Sequence, residues 1–228
     1  MEPFLSALSG LAWTIVYMAA IRIGFRQRTY AIPLAALALN FAWETTYTVQ
    51  DLMGPMSLQG YVNLVWALAD LVIVYTFFAF GRAEFPHFVT RPMFALWGTL
   101  VFGASYAVQW LFLAEFGEHD ATRYSAFLQN LLMSALFIAM LVARRGLRGQ
   151  TLTIAVAKWL GTLAPTILIG VIDGEPFILG IGILCSVFDL VYIGLVLRLR
   201  AHPDALSDVG PAPAPASVWV PAQRVTPP

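Results

Sequence analysis

Three carboxylic acids, Glu44, Asp70 and Asp189, stand inside apolar stretches of this chain. A carboxyl in hydrocarbon is costly and persists where it is paired or put to work. Glu44 lies in the run Asn40-Phe41-Ala42-Trp43-Glu44-Thr45-Thr46-Tyr47, where Asn40, Glu44 and Tyr47 follow i, i+4, i+7 helical spacing. Asn63, Trp66 and Asp70 fall on one helical stripe in the same way, Asp189 and Tyr192 are i, i+3, and Trp13 and Tyr17 are i, i+4. Tyr106, Gln109 and Trp110 form a further cluster. Acids, amides and large aromatic rings on inward stripes suit a long apolar substrate that is protonated and then carries positive charge. Low dielectric disfavours a carboxylate, and two carboxyls held close do not both ionise. A neutral acid is then available as donor. Aromatic faces attract a desolvated cation by about 1–2 kcal/mol each, and excluding water protects that cation from capture.

The elements that must position these residues are membrane helices. Hydrophobic residues make up 59% of the chain and charged residues 11%, with mean hydropathy +0.75, outside the usage of an average soluble domain. Seven apolar stretches, roughly 4–22, 30–52, 60–80, 92–114, 122–143, 151–172 and 177–198, are long enough to cross a hydrocarbon core of about 30 Å. The expected fold is an all-α membrane protein, a seven-transmembrane-helix bundle. Residues 1–200 would form one catalytic domain, and 201–228 a disordered Pro/Ala-rich cytoplasmic tail with Pro-Ala-Pro-Ala-Pro at 211–215. At 1.5 Å per residue, Glu44, Asp70 and Asp189 come out roughly 12–20 Å from the outer ends of their stretches, so the three are expected to share one interior cavity.

Charge sets the orientation. Of the 13 Lys+Arg, 11 fall in alternate loops on one side: Arg22, Arg26, Arg28, Arg82, Arg91, Arg144, Arg145, Arg148, Arg198, Arg200 and Arg224. Arg123 and the in-span Lys158 are the exceptions, while Asp51, Glu115, Glu118, Asp120, Asp173 and Glu175 mark the opposite side. The positive-inside rule then places the N-terminus outside and the C-terminus in the cytoplasm. The first stretch lacks a basic n-region and a cleavage site and reads as a true span. Arginine- and alanine-rich usage points to a bacterial cytoplasmic membrane, and nothing suggests a nucleic-acid partner.

The remaining polar residues carry blander readings beside the functional ones. Cys185 is the one cysteine, which leaves no intrachain disulfide. His87, His119 and His202 lack metal-ligand spacing, and no metal or other cofactor is expected. Asn63, Gln109, Gln129 and Asn130 serve equally well as interhelical hydrogen-bond glue. Glu44 and Asp189 have no comparable cation inside a span. Asp70 has two readings: a structural pair with Lys158, or a catalytic role, with Lys158 reaching the cytoplasmic interface instead. Pro33, Pro92 and Pro176 stand at helix starts, and Pro165 should kink the sixth stretch.

The run 40–47 resembles the Asn-x-x-Trp-Glu-x-x-Tyr signature of the small seven-span terpene cyclases, the integral-membrane enzymes of fungal meroterpenoid and indole-diterpene pathways and their bacterial relatives. Phe188-Asp189-Leu190-Val191-Tyr192 is similar to that family's Phe-Asp-x-x-Tyr block, Trp66-Ala67-Leu68-Ala69-Asp70 to its Trp-x-x-x-Asp element, and Trp13 with Tyr17 to its first-span aromatic pair. The resemblance implies an atypical class II cyclase that protonates an alkene or epoxide of a prenylated aromatic or related terpenoid. Its two essential acids would match Glu44 and Asp189. Asp70 is added as a third candidate catalytic acid. Asn40, Trp43, Tyr47, Asn63, Trp66, Trp13, Tyr17, Tyr106, Trp110 and Tyr192 are the candidate substrate-binding side chains. Neither the Asp-x-Asp-Asp motif of soluble class II cyclases nor an Asp-Asp-x-x-Asp pair for magnesium diphosphate is present. A retinal photoreceptor would need a lysine in the last span, where there is none. A proton-coupled carrier of a small apolar metabolite, using the three acids as a relay, is the alternative, and membrane lipid is the expected surrounding partner.

Overall fold

The computed structural model describes residues 1–55 and 57–202. The tail expected to be disordered begins at 201 and, apart from its first two residues, lies outside them. The regular elements are α1 (Glu2–Gln27), α2 (Leu34–Leu52), α3 (Leu58–Phe80), a 3-10 turn (Gly81–Glu84), α4 (Arg91–Arg144), α5 (Leu152–Pro165), a π-helical stretch (Thr166–Ile172) and α6 (Pro176–Ala201). Polar caps set several starts. The hydroxyls of Ser57, Thr90 and Thr151 accept from the backbone N–H three residues on, at 3.0, 3.4 and 3.1 Å, which satisfies donors the first turn leaves free. Pro92 and Pro176 occupy the first turns of α4 and α6, where a missing N–H costs nothing. Pro165 does interrupt its helix, and the chain widens into the π-helical stretch immediately after it.

The 54-residue α4 is a hairpin and not a rod. Gly117 has φ 71 and ψ 169, a conformation open essentially to glycine alone. Beyond it the chain turns back: Gln109 Nε2 donates to Gln129 Oε1 at 3.1 Å, and the Phe116 and Tyr124 rings meet edge to face at 5.5 Å. In a straight helix residues 109 and 129 would stand about 30 Å apart. The two arms, 91–116 and 118–144, replace the expected fourth and fifth stretches. A broad loop between them is unnecessary because one glycine makes the reversal.

Packing closes a ring. α1 lies against α3 and α5, α2 against α3 and α4, and α6 against α4 and α5. Gly161 of α5 permits the close approach of α1, since a Cβ there would stand 2.9 Å from the Trp13 indole nitrogen. The ring is polar inside and apolar outside. Glu44, Asp70, Lys158, Asp189 and Gln109 are buried, while Leu68, Leu71, Val187, Leu190 and Val191 are exposed, the distribution of a bundle set in lipid.

Five helices are long and apolar enough to cross a membrane by length and composition: Glu2–Gln27, Leu58–Glu84, Arg91–Arg144, Leu152–Ile172 and Pro176–Ala201. The seven expected stretches therefore agree with the helical segments in position without standing as seven separate spans. α2 is not among the five because Asn40, Glu44 and Thr45, Thr46 and Thr48 lower its hydropathy, and α4 counts once because its arms run on through Gly117.

The arginine-rich end is clamped by charge. Glu84 takes Arg148 Nε at 2.7 Å and Arg144 Nε at 3.8 Å, and accepts from Thr29 Oγ1 at 2.6 Å. Arg144 also donates to the Tyr30 carbonyl at 2.9 Å and lies 4.3 Å over its ring. Three loops are thus fixed to one another by side chains whose cations had been read as topological markers alone.

Gly117→Ala isolates the hairpin. No atom lies within 4 Å of an added Cβ there, so the cost is backbone strain, about 1–3 kcal/mol. Thermal unfolding in detergent should fall accordingly, and an unchanged midpoint would contradict the reversal at this residue.

Candidate active site

α1, α2 and α3 bring one polar cluster together in the interior. Tyr17 of α1 donates its hydroxyl to Glu44 Oε1 of α2 in a short hydrogen bond. Asn40, one turn earlier on α2, stands 2.9 Å from the same oxygen, 3.0 Å from Asp70 Oδ2 of α3 and 2.7 Å from the Tyr17 hydroxyl, each measured from its Nδ2. The i, i+4 spacing of Asn40 and Glu44 makes this geometry, since it stacks both side chains on the face that meets α1 and α3. Oε2 of Glu44 and Oδ1 of Asp70 are buried without a hydrogen-bond partner among the described residues. Among the described residues, no lysine or arginine bonds to the cluster.

Aromatic rings flank it. Tyr17 lies between Trp13 at 6.4 Å and Trp66 at 5.9 Å, centroid to centroid, and Trp66 Nε1 donates to Thr14 Oγ1 at 3.2 Å. Of the three rings, Tyr17 reaches the acids directly, through its hydroxyl.

Asp189 belongs to a second cluster, which corrects three expectations. Its oxygens stand 2.9 and 3.0 Å from Lys158 Nζ of α5, and Ser134 Oγ of α4 stands 2.7 Å from the same ammonium. Asp189 therefore has an in-span cation, Asp70 is not the partner of Lys158, and Lys158 does not reach the interface. The snorkelling expectation fails because Lys158 is 0% exposed and a carboxylate within the bundle is the nearer partner. No hydrogen bond joins the two clusters, so the acids divide between two sites and do not form one group of three.

Other candidates are placed as follows. Trp43 and Tyr47, 5.1 Å apart, tie α2 to the second arm of α4: Trp43 Nε1 donates to the Thr122 carbonyl at 3.1 Å, and the Tyr47 hydroxyl lies 3.5 Å from Ser125 Oγ. Tyr106 meets Thr45 Oγ1 at 2.8 Å. Asn63 is buried but accepts from Gln59 at 2.8 Å and does not touch Asp70, since two helical turns separate them. Tyr192 donates to Gln150 Oε1 at 2.8 Å near the arginine-rich end and packs on Phe137. Trp110 is 61% exposed, so it lies on the outer face although Gln109 beside it points inward. Two cavities, of about 480 and 430 Å³, open at the arginine-rich end, the first beside Tyr30 and Arg144 and the second beside Arg22 and Gln150. Neither takes in an acid of either cluster. Sequence reasoning missed Tyr17 as the donor to Glu44 and Ser134 as a partner of Lys158; a hydroxyl at these positions carries no mark distinguishing it from ordinary helix packing.

The bundle thus holds a buried acid cluster beside two indoles. A family model for Pyr4-like transmembrane terpene cyclases matches residues 1–171, and the chain belongs to that family. It is a membrane terpene cyclase, and the carrier reading falls. The match ends before α6, so Asp189 lies beyond it. Among curated relatives, a terpene cyclase, pyr4, of Aspergillus fumigatus is 28% identical over 202 residues, covering 84% of this chain and 83% of the relative. A Pyr4-family terpene cyclase, mfmH, of Annulohypoxylon moriforme is 30% identical, covering 68% and 64%. A terpene cyclase, ascF, of Acremonium egyptiacum is 30% identical, covering 68% of this chain and 61% of its own length. The chain thus spans less than two thirds of the latter two. All three are fungal and give the expected bacterial origin no support. No solved structure matches.

The Asn40 amide is the shared donor of the cluster. Asn40→Leu leaves acceptors on α1 and α3 unpaired and should lower stability by about 1–2 kcal/mol, between the cost of a lost buried hydrogen bond and the smaller values found in membranes. Thermal unfolding measures this, and wild-type stability would deny the amide its linking role.

Proposed function

We propose that this cyclase starts its reaction by protonating a terminal alkene or epoxide of a prenylated aromatic or related terpenoid. The proton comes from the cluster of Glu44, Asp70, Asn40 and Tyr17. The observation that carries the reading is that two buried carboxyls share one amide, with no cation among the described residues bonded to them. An amide has two N–H donors and cannot serve all the lone pairs gathered around it. Two neighbouring carboxylates in low dielectric do not both persist, so one of the pair carries a proton.

With an alkene, the acid O–H bond breaks as a C–H bond forms at the terminal carbon, leaving a tertiary cation. With an epoxide, the ring oxygen takes the proton and its C–O bond opens. Neighbouring double bonds then attack in turn, each forming a C–C bond and passing the charge along the chain. Loss of a C–H proton, or capture by a hydroxyl of the substrate with loss of its O–H proton, ends the sequence; one proton is taken up and one released, so the net change is an isomerisation. Trp13, Tyr17 and Trp66 offer their faces to the first cation, with a benefit of about 1–2 kcal/mol each when desolvated.

The topology completes the proposal. With the two arms of α4 counted separately and α2 included, the chain crosses the membrane seven times, its N-terminus outside and its C-terminus in the cytoplasm. The arginine-rich loops support this orientation. Reporter fusions at Met1 and after Arg200 should read on opposite sides, and a common side would refute the odd number of crossings.

Purified protein or membranes incubated with farnesylated and geranylgeranylated acceptors, each with and without the epoxide, test the chemistry. Glu44→Gln and Asp70→Asn keep shape but remove the transferable proton. Each should lower turnover at least about 10²-fold, the low end for general acid catalysis. Near-full turnover in both would remove this cluster as the acid.

A further inference from the structure

The second cluster is built more tightly than the first. Lys158 and Asp189 are 0% and 1% exposed. An ammonium has three donors and no acceptor, and all three are used here: two on the oxygens of Asp189, at 2.9 and 3.0 Å, and one on Ser134 Oγ at 2.7 Å. Ser134 in turn donates to the Asn130 carbonyl at 2.9 Å, which leaves its lone pairs for the lysine. A protonated Asp189 would bring an O–H donor against an ammonium that cannot accept it. With Lys158 as an ammonium, the hydrogen-bond inventory closes only with Asp189 as a carboxylate. The first cluster has the opposite character, with unpartnered acceptor atoms and no cation among the described residues.

We propose that Lys158 is a positioning residue that holds Asp189 ionised inside the bundle, so that Asp189 serves cyclisation as a fixed negative charge and not as the first proton donor. This deepens the protonation-initiated reading and rests on it for the chemistry divided between the two clusters. Ser134, reached from the second arm of α4, fixes the third direction of the ammonium and with it the direction of the ion pair.

Infrared spectra of detergent-purified protein read the charge directly. The double variant Lys158→Met/Asp189→Asn removes both charges together and is the reference, because neither partner is left stranded. Passing from wild type to this variant should remove carboxylate bands and no protonated-carboxyl C=O band. Loss of a protonated-carboxyl band instead would overturn the proposal. Lys158→Met alone should gain that C=O band and lose about 10²-fold in kcat with KM little changed, the scale on which misplacement of a functional group is felt. Wild-type kcat in this variant would overturn it as well. Should the single variant fail to fold, the double variant still decides, by its spectrum. Turnover in D2O tests the protonation reading separately: an alkene acceptor should give a product with one non-exchangeable C–D bond, and an epoxide acceptor, whose proton ends on an exchangeable O–H, should show a solvent isotope effect on kcat. Absence of the C–D bond from the alkene product, or of the isotope effect where only the epoxide turns over, would sink the reading and leave the charge state of Asp189 to the spectra.

Discussion

Hydrogen-bond donors are scarce in a bundle surrounded by hydrocarbon, and the placement of one amide organises the site of this protein. With no water to compete, each buried polar atom must find its partner among neighbouring helices. Asn40 stands within 3.0 Å of polar atoms on Tyr17, Glu44 and Asp70 and so joins three helices through one side chain. Tyr17 adds its own proton to Glu44. The register of α1, α2 and α3 is tied to this contact, because sliding any of them by a residue would rotate its polar group away from the others.

The surrounding architecture keeps that register. The ring of helices leaves the interior to polar groups and sends Leu68, Leu71, Val187 and Leu190 outward. Gly117 folds α4 back on itself, so that one arm reaches Tyr106 to Thr45 and the other offers the Thr122 carbonyl to Trp43 and Ser134 to Lys158. At the arginine-rich end Glu84, Arg144 and Arg148 join the loops that follow α1, α3 and α4. The half-exposed guanidinium of Arg148 adds little to stability by itself, but Arg144 and Glu84 are largely buried, and the network restrains three connections together.

Helix positions were legible in the sequence because apolar length and proline placement are local properties: the stretch expected at 60–80 is α3 and that at 177–198 is α6, each within a few residues. The pairing of Asn40 with Glu44 was legible for the same reason, since i, i+4 contacts lie within one helix. Contacts between helices were not. The depth of Lys158 in its span suggested the interface or Asp70, whereas the packing of α5 on α6 delivers it to Asp189. Depth alone does not say which way a side chain points around its helix axis. Trp110 failed likewise: next to inward Gln109 in sequence, it is turned about 100° away by helical geometry and faces outward. The hairpin at Gly117 left a signal, a lone glycine between two apolar runs, but the continuation of helix on both sides did not.

The two clusters differ most in net charge, and that difference assigns their roles under the proposed mechanism. Asp189 and Lys158 cancel, so their pair sits in low dielectric as a dipole whose direction is fixed by Ser134. A dipole of this kind supplies a field but no spare proton. Glu44 and Asp70 have no cancelling cation among the described residues, and the cheapest way to keep both in the interior is a proton on one of them. Donating it leaves the cluster more negative at the moment when the substrate gains a positive charge nearby, and the two charges then compensate each other. The same burial that makes two free carboxylates expensive before the reaction makes the pair of acid anion and carbocation mutually stabilising after the proton moves. A carboxyl already ionised by a lysine could offer no such exchange.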